Sequence, residues 1–107
     1  MKNQIASREL LVAEKGSGAR KPLKIMVGSP YLLKEGMVDF PFSAGTSGCR
    51  IEIEGLHKTI SHETYGADPI QALELALATI DSTLQRYELD YYFPNGEPYF
   101  ENEKSSS

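Results

Sequence analysis

The stretch YGADPIQALELALATI, Tyr65 to Ile80, does most to limit what this chain can fold into. It reads as the start of one long helix. Asp68 is a good N-cap, Pro69 suits the first helical position because its missing N–H has no intrahelical partner there, and Gln71 stands where a capping box wants Glu or Gln. At 100° per residue, Ile70, Leu73, Ala76, Leu77, Ile80, Leu84 and Tyr87 fall in one arc, with Gln71, Glu74, Asp81, Ser82 and Gln85 opposite. A helix of about twenty residues is roughly 30 Å long and spans a small sheet. The arc predicts that Leu73, Leu77 and Ile80 face that sheet. Leu75 lies outside the arc, to be covered by the C-terminal segment or left in water. A helix start can bind an anion, but Asp68 caps the free amides and Pro69 removes a donor, so this one is built to begin a helix.

The sheet comes from the segments before it. Ile5–Glu14 reads as a strand with Leu10, Val12 and Arg8 in one row. Leu23, Ile25 and Val27 alternate with Lys24 and Met26, a second strand that GSP at residues 28–30 breaks or bulges. Met37–Phe42, MVDFPF, is expected as a third strand, at an edge or interrupted, because Pro41 lacks a ladder donor. Cys49, Ile51 and Ile53 alternate with Arg50, Glu52 and Glu54, as in an antiparallel strand with one wet face. HKTISHETY runs back beside it. A two-residue loop sets Cys49 opposite His62 and Ile51 opposite Ile60, and a four-residue loop sets Ile53 opposite Ile60. Both keep the faces consistent.

With 107 residues there is enough chain for one domain with its own core, expected over residues 1–100, with residues 101–107 (ENEKSSS) as a disordered tail. No apolar run reaches the roughly 20 residues of a membrane span, and the first ten residues have no signal-peptide pattern. One cysteine and no internal disulfide fit a cytoplasmic location. A net charge of −4 without a basic stripe speaks against nucleic acid and suits a partner with a basic surface.

IASREL, KPLKIMVGSPY, CRIEIEGL and YGADPIQALELALATI, in that order, resemble a family of small uncharacterised bacterial proteins. The resemblance spans about Ile5 to Leu89. Its most specific part is G-x-D-x-x-Q-A-L, here Gly66, Asp68, Gln71, Ala72 and Leu73. It implies a compact sheet-plus-helix domain and carries over no catalytic residue.

Taken together, the expected fold is α+β: an antiparallel meander of four or five strands, one long helix across one face, and an aromatic C-terminal segment. No constellation for catalysis assembles, and neither a cofactor nor a metal is called for. His57 and His62 are five apart, which puts them on opposite sides of a strand. Cys49 beside His62 would suit a small cysteine/histidine enzyme, but a lone cysteine on an apolar strand face is the usual small core residue. KGSGARK, with Lys15, Arg20 and Lys21, offers amides and cations to a phosphate, yet it precedes a strand instead of a helix and reads as a flexible connection. The expected function is a small non-enzymatic protein-binding module, such as an immunity-type inhibitor of a bacterial toxin; a homodimer or larger homo-oligomer is the other form of association. The binding residues named by the sequence are Tyr91, Tyr92, Phe93, Tyr99 and Phe100, which hold half of the six tyrosines and four phenylalanines, and the acidic wet-face pair Glu52 and Glu54. A fold-back of the aromatics onto the core is the competing expectation.

Overall fold

A computed structural model describes residues 3–100; the tail expected at residues 101–107 lies outside the described residues. Six strands form one antiparallel sheet: β1 (Gln4–Ala13), β2 (Lys21–Gly28), β3 (Tyr31–Leu32), β4 (Ser47–Glu54), β5 (Ile60–Gly66) and β6 (Asp90–Tyr92). The single helix α1 (Pro69–Arg86) follows β5 and lies across β4 and β5. The fold is α+β, as expected, and consecutive long strands pair as a meander. β6 then returns from the helix to the far side of β1, pairing Tyr91 with Val12 and Tyr92 with Leu11.

Residues 28–30 end β2, as the glycine and proline there predict. The chain resumes as β3 on the same side of β4: Val27 pairs with Ile51, and after the break Tyr31 pairs with Gly48. The third strand expected at Met37–Phe42 is absent. These residues form a loop over one end of the open face, where Phe40 meets Tyr65 edge-on with ring centroids 5.2 Å apart. Pro41 and the sparse apolar alternation give this segment nothing to pair with. β4 and β5 join through the four-residue option, since Ile53 faces Ile60, Ile51 faces His62 and Cys49 faces Thr64.

The helix start is built much as its sequence reads. The Asp68 carboxylate accepts from the Gln71 amide at 2.7 Å. The Gln71 side chain accepts from the Ala67 amide at 2.6 Å, one residue before the position of the usual capping box. Gly66 is required by close approach: a Cβ there would sit 2.6 Å from the Ala72 nitrogen. Thr64 on β5 donates to the Ala72 carbonyl at 2.9 Å, tying the first turn to the sheet. The G-x-D-x-x-Q-A-L stretch is therefore a docking device for a helix end.

The helix face differs from the expected one. Ala72, Ala76, Ile80, Thr83 and Leu84 are buried, whereas Leu77 is 48% exposed and Ile70 69%. At 100° per residue the buried stripe is rotated by about 50° from the arc of large side chains. Small residues let the helix lie close over β4 and β5, and closeness places more atoms in contact than size alone does. Leu77, expected in the core, stands at the helix flank. Leu75 is 43% exposed among the described residues. The core proper joins Leu10, Val12, Leu23, Ile25, Val27, Cys49, Ile51, Ile53, Ile60, Ile80, Leu84 and Tyr91.

Candidate functional site

The C-terminal aromatics fold back onto the domain. Tyr91 is 4% exposed, and its hydroxyl donates to the Leu84 carbonyl at 2.7 Å, near the helix end. Burial pushes its pKa up to about 12. The amide of Tyr99 donates to the Tyr91 carbonyl at 2.9 Å and that of Phe93 to the Glu97 carbonyl at 2.7 Å, closing a tight turn. Phe93, Tyr99 and Phe100 pack partly buried against the core, with edge-on ring contacts of 5.3 Å for Phe93–Tyr99, 4.8 Å for Tyr99–Phe100 and 5.9 Å for Tyr91–Phe100. Tyr92 carries the Arg20 guanidinium 3.7 Å from its ring centroid. The segment expected to be core or interface is thus largely core, and its contacts run to β1 and the Asp81 side of α1. The Tyr99 hydroxyl donates to the Asp81 carboxylate at 2.7 Å and accepts from Arg8 at 3.0 Å. Its pKa is raised by burial and by Asp81, with Arg8 opposing.

Glu52 and Glu54 stand on the open face of the sheet, away from α1. Lys24 lies between Glu9 and Glu54 across three strands. Cross-strand charges so placed are worth a few tenths of a kcal/mol to about 1 kcal/mol each. Glu52 approaches Arg50 at 3.6 Å, and Arg50 is bonded more closely to Glu63 at 2.6 Å. The other oxygen of Glu63 accepts from the Tyr31 hydroxyl. Burial, then Glu63, raises the Tyr31 pKa well above the usual range. Gly48 makes this possible, because Tyr31 lies flat over it and a Cβ would meet the ring at 2.6 Å. A cavity of about 520 Å³ opens beside the cluster, between it and the loop holding Met37 and Val38. Sequence reading missed this cluster: Tyr31 and Glu63 meet only because both neighbour β4, and no local pattern announces that.

Cys49 and His62 do not pair. The four-residue loop sets Thr64 opposite Cys49, whose thiol is fully buried and donates to the Gly28 carbonyl at 3.3 Å. Burial pushes its pKa up, the reverse of what an activated thiolate needs. Among the described residues no three His, Cys, Asp or Glu side chains gather closely enough to hold a metal ion.

The most open element is β1. It pairs with β2 along its length, but β6 covers its outer side only at Leu11–Ala13. The outer edge of Gln4–Leu10 is left without a partner among the described residues. Beside it runs a groove of about 290 Å³ between β1 and α1, with Ala6, Ile25, Val27, Leu77 and Ile80 as its apolar walls and Arg8, Asp81 and Tyr99 at one end. The sequence signal was present in part: IASREL alternates too weakly for a strand buried on both sides.

The chain matches the family described as Domain of unknown function (DUF6968) over residues 6–91. It belongs to that family. The match takes in β1 from Ala6 onward, β2 to β5, α1 and the first two residues of β6, and stops before the tight aromatic turn. No curated protein and no solved structure matches the chain.

Proposed function

We propose that this family member is a non-enzymatic protein-binding module that takes an extended segment of its partner as an added strand on the outer edge of β1. The supporting observation is the unpaired edge of Gln4–Leu10 lying beside an apolar groove. An added strand gains main-chain hydrogen bonds along such an edge, and every second side chain drops into the groove against Leu77 and Ile80. Half-exposed Leu77 gains burial on binding without costing the free chain its fold.

The partner is basic in this reading. The chain carries a net charge of −4, Asp81 lines the groove, and Glu9, Glu52, Glu54 and Glu63 lie on the open face. Acidic surfaces of this kind accelerate association with a basic protein. An immunity-type inhibitor of a bacterial toxin, cytoplasmic and acting on a basic active site, is the concrete form of the proposal. A second copy pairing edge to edge is the other occupant, and sedimentation velocity separates it from a foreign partner.

The test is affinity capture from source cells with three baits checked for folding: wild type, Leu77→Asp and Glu52→Lys/Glu54→Lys. The expected result is a saturable partner that Leu77→Asp loses and that the open-face variant retains at reduced on-rate. A partner lost only with the open-face variant would move the site to Glu52 and Glu54.

A further inference from the structure

A cavity of about 820 Å³ among the described residues lies away from both the groove and the open face. It is a cleft at one end of the sheet, between the β1–β2 loop, the β4–β5 turn and the segment that follows α1. Val12 and Ala13 form a buried apolar floor, extended by Leu56, Leu89 and Tyr87. Arg20, Lys21 and His57 stand at the rim, with Glu14 as the carboxylate lining it.

The charge here runs against that of the whole chain. Four of the eleven lysines and arginines lie around the cleft: Lys15 and Arg20 in the β1–β2 loop, Lys21 at the start of β2 and Lys58 in the β4–β5 turn. Among the described residues neither Arg20 nor Lys21 has a carboxylate partner, since both ion pairs of the molecule belong to Arg50. Of the nearby carboxylates, Asp90 is engaged by the Gly16 amide at 3.2 Å, which pins the loop. Arg20 is held in place over Tyr92. Lys21 pairs with Val12 and so emerges on the same face as the floor.

We propose that this cleft binds a small amphipathic anion: an apolar body the size of a medium-length acyl chain or a fused ring, carrying a carboxylate or sulfonate at one end. The size lies within the range of small-molecule sites, roughly 300–1,000 Å³, and the lining has their usual character, mostly apolar with a few polar groups. The apolar body lies on Val12, Leu56 and Leu89, and the head meets Lys21, with His57 beside it, while Arg20, stacked on Tyr92, adds charge at the rim. A bare phosphate would leave the floor in water, so the KGSGARK loop serves as the cationic wall of a mixed site.

The test is a titration of the ¹⁵N-labelled full chain with octanoate, followed by amide shifts, with octylammonium as the control of equal apolar size and opposite charge. Expected are saturable shifts confined to residues 12–21, 55–58 and 87–90, little response to octylammonium, and binding about tenfold weaker in Lys21→Gln and again in Arg20→Gln/Lys21→Gln. Leu77→Asp, in the separate groove, leaves octanoate binding unchanged. Absence of saturation in the millimolar range, equal binding of octylammonium, undiminished affinity in the double variant, or shifts centred on Leu77 would each overturn the proposal.

Discussion

On one flank of α1, Ala72, Ala76 and Thr83 are buried where the helix lies over β4 and β5; on the other, Ile70 is mostly in water and half-exposed Leu77 lines a groove with Ala6 and Val27. One helix, with apolar residues on both flanks, is docked by Ala72, Ala76 and Thr83 together with Ile80 and Leu84, and its large side chains Ile70 and Leu77 are left largely outside the core. An amphipathic arc tells which residues avoid water, but a sheet is narrower than the arc. The helix settles where its backbone comes closest, and the surplus apolar surface becomes an opening beside an unpaired strand. The closed flank explains why the domain folds. The open flank is the place with apolar area still to bury.

The largest effect expected from breaking this contrast is at Leu84, two turns beyond Leu77 on the same stripe of α1 but fully buried. Leu84→Ala should cost about 2–5 kcal/mol in urea denaturation, through lost transfer energy and a residual cavity. Next comes pH. The folded-state pKa of Tyr91 is raised to about 12, against about 10 in an unfolded chain. Its contribution is therefore fully present below pH 10 and is lost as pH rises toward 12, when the phenolate can no longer donate to the Leu84 carbonyl. The urea midpoint should fall over that window, and less steeply in Tyr91→Phe. Tyr31 and Tyr99, also raised, add in the same direction. A smaller change of opposite sign is expected at Thr83, whose buried hydroxyl has no hydrogen-bond partner among the described residues. Thr83→Val keeps the shape, removes an unpaired polar group and should stabilise by about 1 kcal/mol. Smallest is Leu77→Ala on the open flank, expected below about 1 kcal/mol because the side chain is half in water already.

The sequence made the helix, its cap, β1, β2 and the β4–β5 hairpin legible, because each rests on local chemistry: a capping aspartate, a proline at the first turn, alternation of period two. The helix face is turned by about 50° from the arc that the periodicity of apolar residues predicts. Ala72 and Thr83 lie outside the arc, yet they are buried while Leu77 is half exposed. Met37–Phe42 carries the valine and phenylalanines of an edge or interrupted strand, with Pro41 as the interruption, but it pairs with no strand and forms a loop. The hairpin register stayed open between two even-length loops, and only the four-residue one separates Cys49 from His62. The Tyr31–Arg50–Glu63 cluster and the bare edge of β1 are products of strand order. Both depend on which strand lies next to which, and no window of neighbouring residues encodes that.

The central claim, that the outer edge of β1 is open in the free chain and is the docking element, is tested most directly by native-state amide hydrogen exchange along β1. In the free chain, the Gln4–Leu10 amides that point away from β2 should exchange rapidly, while those of Leu11–Ala13 facing β6 and those facing β2 stay protected. Those same outward amides should become protected when the partner or a second copy binds. Strong protection of the whole outer edge in the free chain, unchanged on dilution, would contradict the account, because the edge would then already be closed within the fold.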